Sequence, residues 1–292
     1  MKEELIVEAT SILAEKGPLL YLSEGSAVIV GDTHGFPEIS RLALKLWNRE
    51  NCDYLVFMGD YVDRGPRGLE NLETVLEALI SDPDRVVVLR GNHESPTMNY
   101  FYGFYDEVAR LAGVKLFNRI ATFYTYLPYI ALLNGWLLVH GGIPCRACRG
   151  ESEEPVTIDY LRLELAKVWA HPRKGLEPEQ PIAFQLLWND PRGSVEWFAP
   201  SIRGEGAYYY GRRAWTSFLE KNGLKGIIRA HEAVDAFHAW LPDGKKEPLK
   251  QDAASVSELE GAVITVFSSL YHGMRAGILI MDNREILFKA FK

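Results

Sequence analysis

Short apolar runs rich in β-branched residues punctuate the chain at Ala27–Val30, Tyr54–Met58, Val86–Leu89, Trp136–Val139, Gly226–Ile228, Ala262–Phe267, Gly277–Met281 and Ile286–Phe288. Unbroken runs of this length fit strands buried on both faces. Between them, apolar residues recur at helical spacing over Ile6–Lys16, Ile39–Asn48, Leu69–Leu79, Tyr105–Ala112, Ile158–Val168 and Arg213–Asn222. The first three strands alternate with helices, which predicts parallel βαβ units. The last strands succeed one another across short turns such as Asp282-Asn283 and are expected to be antiparallel. The pattern as a whole predicts an α/β fold, a mixed β-sandwich with helices outside. Arg149–Pro155 and Pro242–Gly261 are polar, lack an apolar period and are expected as surface loops. No linker or composition shift divides the chain, so residues 1–292 are expected to form one domain.

Composition narrows the class. Hydrophobic residues make up 47% of the 292 and charged residues 24%, the balance of a globular protein with a sizeable core. A net charge of -7 and the lack of a Lys/Arg cluster argue against a nucleic-acid partner. The acidic, amphipathic opening MKEELIVEATSILAEKG does not read as a signal peptide. The most apolar stretch, Tyr126–Val139, is interrupted by Pro128, Asn134 and Gly135 and so reads as core rather than a membrane span. Three cysteines, Cys52, Cys145 and Cys148, are too few for a secreted disulfide scaffold, and a cytoplasmic location is expected. The CxxC pair at Cys145 and Cys148 reads as structural thiols, with a local disulfide or redox switch as the alternative.

The chemistry lies in short polar clusters at the carboxyl ends of the strands. GDTHG brings Asp32 and His34; GDYVDRG brings Asp60, Asp63 and Arg64; RGNHE brings Asn92 and His93; HGG brings His140; RAHE brings His231. Any one of these alone reads as turn or cap chemistry. Five polar clusters at five strand ends instead predict one site, because sites in open α/β sheets gather outside the carboxyl ends of strands. Carboxylate, amide and imidazole donors together suit Mn, Fe or Zn better than Mg or Ca alone. Asp60 is the natural bridge between two cations, and a cation pair ~3.5–4 Å apart polarises a phosphoryl group and acidifies water. The expected cofactors are therefore two divalent metal ions, with Mn2+ foremost. His171, His238 and His272 fall outside the clusters and are not expected as ligands.

These motifs resemble the phosphoprotein phosphatase family of serine/threonine phosphatases, within the metallophosphoesterases. The likeness continues through YGFYDE (Tyr102–Glu107), LLVHGG (Leu137–Gly142), LLWNDP (Leu186–Pro191), IIRAHE (Ile227–Glu232) and VFSSLYHG (Val266–Gly273), nearly the whole chain. The resemblance implies that Asp32 and His34 bind the first metal, that Asp60 bridges, and that Asn92, His140 and His231 complete the second site. It implies His93 as the general acid with Asp63 orienting it, Arg64 and Arg203 as a phosphate clamp, and Tyr271 at the border of the centre. It also implies hydrolysis of phosphoserine and phosphothreonine in protein substrates by direct attack of a metal-bridging hydroxide. Where the family carries SAPNYC this chain has SSLYHG, with a shorter loop at His272–Gly277. That departure predicts altered inhibitor binding, and no regulatory partner emerges from the sequence.

Two alternatives belong to the same superfamily: hydrolysis of dinucleoside polyphosphates, and added activity on phosphotyrosine. The Arg203 and Tyr271 features favour the protein substrate. A silent binding module would have lost ligands, and none is missing.

Overall fold

Within the strand Ala27–Val30, Ala27 and Ile29 face one core while Val28 and Val30 face another. This two-sided burial explains the unbroken apolar runs, and it sets the layering of the molecule. The computed structural model describes residues 1–148, 155–169 and 180–292.

In chain order the described residues form α1 (Glu3–Ala14), β1 (Leu19–Tyr21), β2 (Ala27–Val30), α2 (Pro37–Glu50), β3 (Tyr54–Phe57), α3 (Gly68–Ser81) and β4 (Val86–Val88). Next come α4 (Pro96–Tyr102), α5 (Phe104–Leu111), α6 (Val114–Tyr124), β5 (Ile130–Leu133) and β6 (Trp136–Val139). They are succeeded by α7 (Ile158–Ala166), α8 (Pro181–Trp188), β7 (Asp190–Pro191), β8 (Phe198–Pro200), β9 (Tyr208–Tyr210), α9 (Arg212–Asn222) and β10 (Gly226–Arg229). The last strands are β11 (Phe237–Trp240), β12 (Lys246–Pro248), β13 (Ala253–Ser255), β14 (Val263–Val266), β15 (Ala276–Met281) and β16 (Glu285–Phe291).

One sheet has the order β1-β5-β6-β10-β14-β11-β12 and the other β13-β16-β15-β2-β3-β4, with a small third sheet β7-β9-β8. A core shared by Ile29, Val56, Leu279 and Phe288 from one large sheet and Leu138, Ile228, Ile264 and Phe237 from the other fills the sandwich. The outer face of the six-stranded sheet packs under α1, α2, α3, α5 and α6. The outer face of the seven-stranded sheet packs under α7, α8 and α9. The mixed sandwich flanked by helices is thus the fold that the periodicity predicts. β2, β3 and β4 run parallel, as do β6, β10 and β14. A parallel bridge between Asp32 and Phe267 joins the two sheets just beyond β2 and β14. The carboxyl ends of both parallel sets therefore open on the same edge.

Two expectations need correction. Pro242–Gly261 is not a bare loop: β12 pairs with β11, β13 pairs with β16, and Leu249, Ala254, Val256 and Leu259 reach the core between the sheets. Strands of three residues show too little of a period to be read, although Ser255 and Glu258 form a capping box that the sequence does carry. Tyr126–Val139 is largely buried, as expected of core, and two of its interruptions, Asn134 and Gly135, form a hairpin turn with positive φ between antiparallel β5 and β6. Cys145 and Cys148 are placed as a disulfide with Cα atoms 5.4 Å apart, a span the CxxC turn permits. Cys52 is a buried free thiol. Of the other sequence expectations, residues 149–154 of the Arg149–Pro155 loop and His171 lie outside the described residues.

Candidate metal centre

Gly59 and Asp60 leave β3 in the left-handed region, with φ of 99° and 56°, which turns the Asp60 carboxylate back over the strand end. The turn presses against the RGNHE loop so closely that a Cβ at Gly91 would strike Asp60 Oδ1 and the Asp60 amide. Glycine there is a steric requirement. His34, Asp63, Arg64 and His231 also hold positive φ. Such backbone is sparsely populated for non-glycine residues and gathers at functional sites.

Glu94 ties the two turns together. Its buried carboxylate accepts from the backbone N–H groups of Asp60 at 2.7 Å, Tyr61 at 2.9 Å and Gly91 at 2.8 Å. Sequence reasoning gives Glu94 no role, although it stands in the GNHE motif. Asp60 Oδ1 in turn accepts from His93 N at 2.8 Å, and Asp32 Oδ1 accepts from His231 N at 2.8 Å.

The imidazoles are oriented through their other nitrogen, as metal-ligating histidines commonly are. His34 Nδ1 donates to the Val62 carbonyl at 3.0 Å, and His140 Nδ1 donates to the Met58 carbonyl at 2.9 Å. Each Nε2 is left with its lone pair pointing at the carboxylates: His34 Nε2 is 3.6 Å from Asp60 Oδ2, and His140 Nε2 is 3.4 Å from Asp60 Oδ1. Asn92 Oδ1 lies 2.9 Å from His140 Nε2 and 2.8 Å from His231 Nδ1. An amide oxygen facing the lone pair of His140 at that distance is repulsive unless a cation sits among the atoms. Donor atoms of His34, Asp60 and His93 lie within 4.8 Å of one another, and so do those of Asp60, His140 and His231.

Charge points the same way. Burial pushes Asp60 well above the usual carboxylate range, with the Asp32 and Glu94 carboxylates adding to the rise. Burial likewise raises Asp32 to about 6 and Glu94 to about 7. Burial pulls His34, His140 and His231 well below the usual imidazole range, so all three are neutral at pH 7 and could serve as donors. Three buried carboxylates ionise together only beside compensating positive charge. The donor set therefore fits a divalent pair.

His93 stands apart from this set. Its Nδ1 donates to Asp63 Oδ2 at 2.7 Å, while Nε2 accepts from Arg64 Nε at 3.4 Å. Asp63 is fixed from behind by Asn99 Nδ2 at 2.9 Å and the Phe104 N–H at 3.1 Å. Both His93 nitrogens are thus engaged, and its donor atoms also lie near those of His34 and Asp60. Arg64 lies over the Tyr102 ring, 4.3 Å from its centroid, and 5.8 Å from that of Tyr271.

One cleft of about 430 Å³ is lined by Asp32, His34, Asp60, Arg64, Asn92, His93, Arg203, His231 and Tyr271. His140 and Asp63 sit behind its wall. Every sequence-predicted site residue is thus in or against a single cleft. His272 lines it as well, while His238 is buried beside Glu232, with 3.6 Å between His238 Nε2 and Oε2. Sequence reasoning missed Asp190, whose Oδ2 accepts from Arg203 Nε at 2.8 Å and whose Oδ1 accepts from the buried Arg229 at 2.7 Å.

The calcineurin-like phosphoesterase family model matches residues 26–235. The chain belongs to that family. Within it, this phosphoesterase is 31% identical over 291 residues to the serine/threonine-protein phosphatase 4 catalytic subunit of Saccharomyces cerevisiae, spanning 96% of this chain and 83% of that one. That likeness places it in the phosphoprotein phosphatase family of serine/threonine phosphatases. A protein of Encephalitozoon cuniculi described as a probable serine/threonine-protein phosphatase is 33% identical over 242 residues, 80% of this chain, and the match spans about half (48%) of that relative's length. Among solved structures, a protein serine/threonine phosphatase from Saccharomyces cerevisiae with similarity to human phosphatase PP5 matches with a TM-score of 0.77 and 24% identity, over 99% of this chain and 88% of that one. A cold-active protein-tyrosine phosphatase of a Shewanella psychrophile shares the fold at a TM-score of 0.59 and 19% identity, over 94% of this chain and 82% of that one. No helix among the described residues is long and apolar enough to cross a membrane.

Proposed function

We propose that residues 1–292 form one catalytic domain that hydrolyses phosphoserine and phosphothreonine in cytoplasmic phosphoproteins, using two divalent ions of which Mn2+ is the leading candidate. The observation that carries this reading is Asn92 Oδ1 held within 2.9 Å of two imidazole nitrogens at the floor of a cleft whose wall carries two arginines. Asp32, His34 and Asp60 would hold one ion; Asp60, Asn92, His140 and His231 would hold the other. When bound, such ions supply Lewis acidity toward a phosphoryl oxygen and lower the pKa of water.

The protein's own groups do the rest. Arg64 and Arg203 meet at the cleft, where guanidinium forks suit bidentate phosphate binding. Asp190 fixes Arg203 through its Nε, and Tyr102 lies against Arg64. His93 Nε2 faces the cleft and would hand a proton to the departing serine or threonine oxygen. Burial, with the neighbouring Arg64 guanidinium, pulls His93 well below the usual imidazole range. An arriving phosphate dianion reverses that balance by neutralising Arg64, and Asp63 then stabilises the proton on the ring.

A competition among a phosphothreonine peptide, a phosphotyrosine peptide and a dinucleoside polyphosphate, with defined metals, tests the reading. Preferred turnover of the phosphothreonine peptide with Mn2+ is expected. Cleavage of the nucleotide alone would overturn the protein substrate, and equal cleavage of phosphotyrosine would broaden it.

A further inference from the structure

The Cys145–Cys148 pair plays no part in the chemistry above, yet it sits five residues beyond His140 in the loop leaving β6. We propose that Cys145 and Cys148 form a thiol–disulfide exchange site for a low-molecular-weight thiol, whose redox state is relayed to Arg203 through Gln185 and Asn189.

The placement supports exchange. Cys145 is buried, while Cys148 is only partly so and lies two residues beyond the exposed Arg146. Partial exposure opens Cys148 to an incoming thiolate, the form that exchanges. The sulfurs also have an acceptor at hand for the reduced state: the buried Gln185 Oε1 lies 3.3 Å from Cys145 Sγ and 3.8 Å from Cys148 Sγ. Disulfides in a reducing cytosol are ordinarily transient or redox-sensing.

Counting donors gives the relay. In the disulfide, Gln185 Oε1 accepts from the Cys145 N–H at 2.8 Å and from Asn189 Nδ2 at 3.4 Å. An amide oxygen has two lone pairs, and these two donors fill them. In the dithiol, the Cys145 S–H becomes a third donor to the same oxygen. The Asn189 bond, the longest of the set, is the one displaced. Asn189 also donates to the Ile143 carbonyl at 2.9 Å and accepts from Tyr208 N at 2.7 Å, and its carbonyl accepts from Arg229 at 3.2 Å. Its chain neighbour Asp190 holds Arg203. Reduction thus loosens the seat of one cleft arginine and leaves the metal ligands untouched.

The step balances. A thiolate attacks Cys148 Sγ, breaks the Sγ–Sγ bond, forms a mixed disulfide at Cys148 and releases Cys145 as a thiolate that takes one proton. A second thiolate displaces Cys148, which takes the other proton. The reductant leaves as its own disulfide, and two electrons have passed to the protein.

The test equilibrates the metal-loaded protein with mixtures of reduced and oxidised glutathione, then traps free thiols by alkylation for mass spectrometry. Peptide kcat/KM and metal content are measured on the same samples. A two-electron transition confined to Cys145 and Cys148 is expected, with kcat/KM lower in the dithiol by about two- to tenfold, the effect of one weakened hydrogen bond, at constant metal content. The Cys145→Ala/Cys148→Ala double variant, which has no S–H donor, should keep the oxidised form's kcat/KM and ignore glutathione. In an Arg203→Ala background the redox difference should vanish. A pair that stays fully oxidised or fully reduced across the series overturns the exchange site, and this alkylation result does not depend on the phosphatase reading. Equal kcat/KM in the two states, or a double variant as slow as the dithiol, overturns the relay.

Discussion

His93 is the residue on which two readings of the cleft compete. Its donor atoms lie near those of His34 and Asp60, which would suit a ligand, yet its Nδ1 is committed to Asp63. Replacement decides between them. His93→Asn should lower kcat by about 10²–10⁴-fold, the range of a positioned acid, while elemental analysis still finds two metals per chain. Loss of a metal would move His93 into the ligand set. The candidate residues themselves are legible because each lies just past an apolar run within a short polar motif. Their supports are not. Glu94 acts by collecting three backbone N–H groups from two loops, and Asp190 acts by joining two arginines distant from it in sequence. A carboxylate used that way carries no local pattern.

At the scale of elements, the sequence is clearest where burial is two-sided and least clear where elements are short. β2 and β6 coincide with apolar runs, and β3, β4, β10, β14, β15 and β16 depart from them mainly at their ends. α4 and α8 escape the periodicity because they span only 7 and 8 residues and begin with a proline at the first turn, a start signal with too little periodic length behind it. The β5–β6 hairpin offers a clean test of local geometry. Gly135 has φ of 81°, and the nearest atoms an added Cβ would meet belong to the Lys225 side chain, at 3.3 Å. Gly135→Ala should therefore cost about 1–2 kcal/mol, the ordinary penalty of left-handed backbone for an L-residue, read as a lower melting temperature. Turnover should not change, because this turn lies at the opposite end of β6 from His140. A fall in kcat beyond twofold would show that the hairpin is coupled to the site.

For the whole molecule, the buried charges make stability depend on metal and pH together. Asp60 is raised well above the usual carboxylate range by burial, and Asp63 and Glu94 are raised to about 7 by burial. Such groups stabilise the fold while protonated, and that contribution is lost as pH rises through their folded-state values. The site histidines are lowered, so above the usual imidazole range of about 6.5 they are neutral in both states and add no slope. Metal-free protein should therefore melt at a lower temperature at pH 9 than at pH 7, and Mn2+ should restore more of the loss at pH 9. A flat or rising profile in chelator would contradict this account. The layered fold also ties the site to the core. Asp32, His34, Asp60 and Asn92 extend from one sheet, His140 and His231 from the other, and the two are registered by side-chain packing, the Asp32–Phe267 bridge and hydrogen bonds such as His231 N to Asp32 Oδ1 and His140 Nδ1 to the Met58 carbonyl. The spacing of the ligands is thus a gauge of how the sheets are aligned. A reshaped side chain at Ile29 or Phe288, in the filling of the sandwich, acts on the cleft by shear, with no contact to it.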